Sequence, residues 1–126
     1  MRYTRYWSRT KTPITQECVD AIKKIINDCT KKGIKICGPD GTGNPVLNTN
    51  TIAFNGTEEN DLDHESFWID NTDDNFNFCK TARKPYDYAV RRSLSVLKKY
   101  GIVTNVRSDG ANNEIISDAE YLNKNT

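Results

Sequence analysis

The stretch Cys79-Lys80-Thr81-Ala82-Arg83-Lys84-Pro85-Tyr86-Asp87 separates a β-prone segment from an amphipathic helix and decides the fold of the second half of the chain. Pro85 suits the first position of a helix, where its missing N–H is not needed. Apolar residues then recur at helical spacing, at Tyr86, Val90, Leu94 and Leu97. Gly101 provides the signal that ends the helix. The sequence therefore predicts a helix from Pro85 to about Tyr100.

Three cations, Lys80, Arg83 and Lys84, lie just before this helix. The free backbone amides of a helix N-terminus attract anions, so cations there do nothing for the helix dipole. They indicate a negatively charged partner instead. Two partners fit equally well: a phosphate-bearing ligand, or the chain's own acidic segment.

The charge of the chain is small in total but strongly divided. The net charge is +1, yet residues 57–78 contain eight acids and no Lys or Arg, and residues 80–99 contain seven cations and one acid. This division favours self-association or a local anion site, and it disfavours a general nucleic-acid-binding protein, DNA-binding proteins included, because such proteins are usually basic overall. No apolar run approaches membrane-spanning length, so no membrane association is expected.

The 126 residues predict a single domain, 1–126, of the α+β class. A first helix begins after the N-cap candidate Thr15, with an apolar stripe at Cys18, Ile22, Ile25, Ile26 and Cys29. β-prone segments lie at residues 2–8, 34–37, 51–56, 66–70 and 102–106. We expect an antiparallel or mixed sheet of about five short strands, with two main helices on one face and a short C-terminal helix at 113–122. Residues 51–56 and 66–70 form a hairpin with a long, acidic, mobile tip.

Few residues point to catalysis or to a cofactor. The four cysteines lack the short spacings of a metal site, which predicts buried, reduced thiols in a cytoplasmic protein and no cofactor. The glycine-rich loop 38–45 lacks the Lys-Ser/Thr and the following helix of a phosphate-binding loop. His64, the single histidine, is a candidate general base. No nucleophile or paired carboxylate is placed beside it by sequence, so catalytic, ligand-binding and structural roles all remain open.

Several blocks along the chain carry a family resemblance. They are Arg2-Tyr3-Thr4-Arg5-Tyr6-Trp7, Asp40-Gly41-Thr42-Gly43-Asn44-Pro45, Ile52-Ala53-Phe54-Asn55-Gly56, Asp63-His64-Glu65-Ser66-Phe67, Phe78 through Asp87, and Ser108-Asp109-Gly110. Together they resemble a group of small phage-encoded proteins that includes the Thoeris anti-defence proteins of the first type. The chain departs from the family pattern at Ser66, where relatives often have Thr, and in its Asn-rich C-terminus.

The resemblance implies a signal sponge. Such proteins bind and sequester the cyclic ADP-ribose isomers that bacterial TIR enzymes make, without cleaving them, in the cytoplasm of the infected bacterial host. The resemblance also implies a homodimer or larger homo-oligomer, and cyclic oligonucleotides as ligands at a second site.

A sponge for such a ligand needs cations for phosphates, flat side chains for the base and polar groups for ribose hydroxyls. The candidates for phosphate binding are Arg83, Lys84, Lys80 and Arg107. The candidates for base stacking are Phe78, Trp7 and Tyr86, and those for ribose contacts are Asp109 and Asn55. Two other functions stay open: a phosphodiesterase that uses His64 with Glu65 or Asp63, and a module that binds a host protein through the basic 80–99 face.

Overall fold

The computed structural model describes residues 3–72 and 76–109, and within them it has seven strands and two helices. The elements in chain order are β1 (Thr4–Arg9), α1 (Gln16–Lys31), β2 (Ile36–Cys37), β3 (Val46–Leu47), β4 (Thr51–Gly56), β5 (Phe67–Asp70), β6 (Phe76–Lys80), α2 (Asp87–Lys99) and β7 (Val103–Ser108). A 3₁₀ turn at Glu59–Asp61 lies between β4 and β5. The predicted α+β class is confirmed.

The strands form two antiparallel sheets rather than the one predicted sheet of about five strands. In the first sheet β1 is central, with β6 on one side and β7 on the other. In the second sheet β4 is the common partner and pairs with β2, β3 and β5. The predicted hairpin is confirmed as the β4–β5 pair. The division into two sheets was not visible in the sequence, because β1 finds its partners about seventy and one hundred residues later in the chain.

The core lies between these sheets and the two helices. α1 contacts β2, β3 and α2, and α2 contacts β7. The predicted stripe of α1 is largely buried: Cys18, Ile22, Ile25 and Cys29 line the core, and Ile26 packs at its margin. Within the described residues, no helix is long and apolar enough to cross a membrane.

The two helices begin differently. Thr15 caps α1 as predicted, since its side-chain hydroxyl accepts a hydrogen bond from the backbone N–H of Cys18 at 3.3 Å. The predicted start of α2 at Pro85 is wrong by two residues, because α2 begins at Asp87 and Pro85 lies in the preceding turn. The predicted C-terminal helix at 113–122 lies outside the described residues.

A buried ion pair joins β1 to the start of α2. The Arg5 guanidinium donates two hydrogen bonds to the Asp87 carboxylate, each 2.9 Å long. Asp87 is fully buried, and it also accepts a hydrogen bond from the Thr81 hydroxyl at 2.7 Å. The first helical residue of α2 is thereby fixed to the central strand of the first sheet.

The cysteines are free and buried, which confirms the prediction of unpaired thiols within the core. Burial raises the pKa of the Cys18 thiol to about 11 and that of the Cys29 thiol to about 12. Burial also raises the pKa of Cys79. These three thiols are therefore protonated at neutral pH and are poor nucleophiles.

We expect Asp87→Ala to lower the free energy of unfolding by about 3–5 kcal/mol, because it leaves the Arg5 charge buried without its partner. Urea denaturation measures the change. Lys35→Ala is the matched control, since Lys35 and Glu59 form a largely exposed pair whose loss should leave the free energy of unfolding nearly unchanged. Equal effects for the two variants would contradict the structural role of the buried pair.

The buried thiols also predict how stability depends on pH. Their pKa values are higher in the folded than in the unfolded chain, so the folded state holds more protons once the pH exceeds the unfolded value. The buried thiols should therefore make their full contribution to the free energy of unfolding below about pH 8.5, the pKa of a thiol in the unfolded chain. As the pH rises from there to the folded pKa of 11–12, each thiol should lower the free energy of unfolding by roughly 1.4 kcal/mol per pH unit. Cys18→Ser tests this in urea denaturation between pH 7 and 10.5, because it should reduce the slope above pH 9. An unchanged slope would contradict it.

Candidate functional site

A cleft of about 530 Å³ lies at the end of the first sheet, where β1 begins and β6 and β7 end. Its lining combines aromatic, basic and acidic side chains. The lining residues are Tyr3, Thr4, Tyr6, His64, Lys80, Ala82 and Asp109. The volume lies within the range of small-molecule sites. Of the predicted ligand-binding residues, this cleft brings together Lys80 and Asp109, and it adds His64.

Asp109 is held firmly at one wall of the cleft. Its carboxylate accepts hydrogen bonds from the Tyr6 hydroxyl at 2.7 Å and from the backbone N–H of Thr4 at 3.1 Å. The bond to Asp109 raises the pKa of Tyr6, because the nearby carboxylate disfavours a phenolate. Each carboxylate oxygen has two lone pairs, so each can accept a further hydrogen bond from a ligand hydroxyl.

His64 and Lys80 form the opposite wall. The His64 Nδ1 lies 2.7 Å from the backbone oxygen of Lys80. A carbonyl oxygen only accepts hydrogen bonds, so Nδ1 carries the proton. The other ring nitrogen, Nε2, takes no part in this contact and can accept a hydrogen bond. The hydrogen bond of Nδ1 to a carbonyl orients the ring without activating a nucleophile. The side chain of Lys80 is exposed, and its Nζ lies 5.7 Å from the centre of the Phe78 ring.

Ala82, which lines the cleft, lies in an unusual turn after β6. Ala82 and Arg83 both have left-handed backbone conformations, with φ of 52° and 56°. The backbone N–H groups of Thr81 and Ala82 both donate to the Tyr3 carbonyl, at 3.0 and 3.2 Å. Left-handed conformations are unfavourable for non-glycine residues and concentrate at functional sites. The turn is therefore a second indication that this end of the sheet has a function.

Arg83 packs behind the cleft rather than lining it. Its guanidinium carbon lies 4.0 Å from the centre of the Tyr3 ring, and the Arg5 guanidinium carbon lies 5.1 Å from the same ring. Tyr3 is almost fully buried and donates a hydrogen bond to the Ser108 hydroxyl at 3.0 Å. Arg83 thus holds a wall residue in place.

The acidic segment binds one of the cations that precede α2. Lys84 Nζ donates to the Asp61 carbonyl at 2.7 Å and lies 3.4 Å from the Asp61 carboxylate. Glu58 N–H donates to the Gly41 carbonyl at 2.9 Å, and Lys35 pairs with Glu59 at 3.0 Å. The 57–65 loop is thus held against the rest of the fold. The sequence left two partners open for the cations before α2, a phosphate-bearing ligand and the chain's own acidic segment. For Lys84 the structure shows the acidic segment.

Three predicted ligand contacts are buried, and these predictions are wrong. Trp7 is 1% exposed and packs against Phe67 with ring centres 5.2 Å apart. Tyr86 is fully buried, and its hydroxyl donates to the Glu65 carbonyl at 2.5 Å, so neither ring can stack on a base. Asn55 is 2% exposed, and its amide N–H donates to the His64 carbonyl at 2.9 Å. Its role is to position His64.

Phe78 and Arg107 lie beside the cleft on the outer side of the first sheet. Phe78 is 47% exposed and pairs across the sheet with Tyr6. Arg107 pairs with Tyr6 from the other side, and its guanidinium carbon lies 5.4 Å from the Tyr6 ring centre. Both are therefore near the site without forming its lining.

Sequence reasoning missed four lining residues, Tyr3, Thr4, Tyr6 and Ala82. Alternation along a strand was the available signal for Thr4 and Tyr6: with Arg5 and Trp7 facing the core, these two face outward. No local pattern indicated the left-handed turn at Ala82. Among the described residues, no group of three or more His, Cys, Asp and Glu side chains could hold a metal ion.

Comparison of the chain with protein-family models, with curated proteins and with solved structures finds no match.

We expect Ala82→Gly to raise the free energy of unfolding by about 1 kcal/mol, because glycine adopts the left-handed conformation without strain. Ala21→Gly in the middle of α1 is the matched control and should lower it by about 1 kcal/mol. Urea denaturation of both variants measures the difference. Destabilisation by both would show that the turn at residue 82 stores no strain.

Proposed function

We propose that the protein binds and sequesters a cyclic ADP-ribose-type signal made by bacterial TIR enzymes, without cleaving it. It would thereby act as a phage anti-defence protein in the cytoplasm of the infected host. Two independent observations support the proposal. One is the resemblance of blocks spread along the chain to the Thoeris anti-defence family, and the other is the cleft at the end of the first sheet.

The juxtaposition of Lys80 and Asp109 across one cleft carries the proposal. A cyclic ADP-ribose has two phosphates, an adenine and two riboses. The Lys80 ammonium suits the phosphates. The Asp109 carboxylate suits ribose hydroxyls, and so does His64 Nε2, which accepts a hydrogen bond when Nδ1 carries the proton. Phe78, beside Lys80, offers a ring for the base. A ligand with both anionic and hydroxyl groups matches this lining better than a purely apolar one.

The state of the potential nucleophiles supports binding without turnover. The ring contact of His64 is to a backbone carbonyl and not to a hydroxyl or thiol that it could activate, and Cys18, Cys29 and Cys79 are buried with raised pKa values. General-base catalysis needs the base within hydrogen-bond reach of the proton that it abstracts. Sequestration instead needs only converging contacts, of which several must act together because a 10 nM affinity corresponds to about −11 kcal/mol.

The resemblance extends the proposal in two ways. It implies a homodimer or larger homo-oligomer, and a second site for cyclic oligonucleotides. Both belong to the proposal and are tested separately from the cleft, by sedimentation velocity and by titration with cyclic oligonucleotides.

Calorimetric titration with a panel of cyclic ADP-ribose isomers, ADP-ribose and NAD⁺ tests the proposal. We expect at least one cyclic isomer to bind tightly and to be recovered intact, by mass spectrometry, after the protein is heat-denatured. Lys80→Ala should weaken binding by about tenfold or more, because it removes a charge-assisted contact to phosphate.

Lys84→Ala is the matched control from the same stretch of sequence. Lys84 binds Asp61, so its loss should leave the affinity unchanged. Recovery of a cleaved ligand would overturn the proposal in favour of an enzyme. An equal loss of affinity in Lys80→Ala and Lys84→Ala would show that the ligand does not occupy this cleft.

A further inference from the structure

The first sheet has an outer side that no other described element covers at its centre, and we name it the open face. Alternation along β1 and β6 directs Arg5, Trp7 and Cys79 to the core and their neighbours outward. The open face consists of Tyr6 from β1, Phe76, Phe78 and Lys80 from β6, and Arg107 from β7. Two of its rings are unusually accessible, since Phe76 is 51% exposed and Phe78 is 47% exposed.

The aromatic rings of the open face form a continuous row. Tyr6 and Phe76 are stacked with ring centres 5.9 Å apart and planes 20° apart. The centres of Phe76 and Phe78 are 6.3 Å apart. Exposed aromatic rings side by side on a sheet are the feature that single-stranded nucleic acids use for stacking their bases.

Cations lie at both ends of this row. The Arg107 guanidinium carbon lies 5.4 Å from the Tyr6 ring centre and 5.6 Å from that of Phe76. Lys80 Nζ lies 5.7 Å from the Phe78 ring centre. Cations adjoining stacking rings can contact the phosphates on either side of a stacked base.

The charge of the whole first sheet is also one-sided. Strands β1, β6 and β7 contain no Asp or Glu, and their cations are Arg5, Arg9, Lys80 and Arg107. Arg5 is bound to Asp87, and Arg9 donates to backbone carbonyls, among them that of Asp70 at 2.9 Å. Lys80 and Arg107 therefore supply the positive charge of the open face, one at each end of the aromatic row. Two carboxylates adjoin the face, and both already accept hydrogen bonds within the chain: Asp109 from the Tyr6 hydroxyl at 2.7 Å and Glu65 from the Lys80 backbone N–H at 3.1 Å.

We propose that the open face binds single-stranded nucleic acid without sequence preference, with bases stacked on Phe76 and Phe78 and phosphates held by Lys80 and Arg107. The inference shares Lys80 and Phe78 with the proposed function, whereas Phe76 and Arg107 do not line the cleft, so variants at these two residues test the open face separately. A second copy of the chain is a less favourable occupant. The strands of this face supply cations but no acids, so a two-fold contact could gain charge pairs only from the adjoining Asp109 and Glu65, which already accept hydrogen bonds within the chain.

Fluorescence anisotropy with labelled dT20 and rU20, at 50 and 200 mM salt, tests the inference. We expect saturable binding that weakens with salt. Phe76→Ala should weaken it by about fivefold or more, as loss of a stacking ring does. Arg107→Gln should make the slope of log affinity against log salt shallower by about 0.7, the value for one phosphate contact to a single strand.

Two controls separate the open face from other surfaces. Trp68 on β5 is 50% exposed but belongs to the second sheet, so Trp68→Ala should bind like the unmodified protein. His64→Ala changes the cleft and should also leave this binding unchanged. Circular dichroism melts establish that each variant is folded.

Three results would overturn the inference. They are the absence of saturable binding at 50 mM salt, an equal loss in Trp68→Ala and Phe76→Ala, and a Phe76→Ala variant that binds normally while losing self-association in sedimentation velocity. The last result would assign the face to contact between copies. If the open face does not bind nucleic acid, the result of the cyclic ADP-ribose titration still stands on its own. Phe76→Ala leaves the lining of the cleft intact, and His64→Ala leaves the open face intact, so the two proposals can fail separately.

Discussion

The buried pair between Arg5 and Asp87 is the interaction on which the rest of the structure depends. It joins the central strand of the first sheet to the first residue of α2, across 82 positions of sequence. Because Thr81 donates to the same carboxylate, the connection between β6 and α2 is fixed at both ends. A buried charge pair is tolerated only when its polar atoms are hydrogen-bonded. The Asp87 carboxylate meets this requirement, because it accepts three hydrogen bonds. The pair therefore specifies one arrangement of strand, turn and helix.

The turn that this pair fixes has two opposite properties. Its backbone is strained at Ala82 and Arg83, and it is also held by hydrogen bonds from residues 81 and 82 to Tyr3. Strain of this kind persists only where the surroundings determine the conformation. The result is a rigid rim that holds Lys80 opposite Asp109. The acidic 57–65 loop contributes His64 to the same rim, and Asn55 holds the backbone of His64 there through two hydrogen bonds.

The local patterns of the sequence predicted the helices and most strands, since periodicity and caps are local properties. Thr15 and the stripe from Cys18 to Cys29 needed no knowledge of the rest of the chain. The candidate site was predicted only in part. Lys80 and Asp109 were found by chemical type, whereas Trp7 and Tyr86 were misassigned because local sequence does not distinguish a buried aromatic ring from an exposed one. Burial of both follows from the pairing of β1 with strands far away in the chain.

The central position of β1 also constrains the order in which the molecule can fold. β1 leaves the ribosome before the other described strands, yet its two neighbours are β6 and β7, and Tyr3 meets Ser108 across 105 positions. Since ribosomes add about 5–20 residues per second, this strand waits for several seconds with both edges unpaired. Long-range pairing of this kind makes folding slow. The second sheet and the contacts that α1 makes with β2 and β3 lie within residues 16–70, whereas α1 meets α2 only later. We therefore expect the second sheet and α1 to assemble first and β1 to dock last, completing the cleft and the open face in one step.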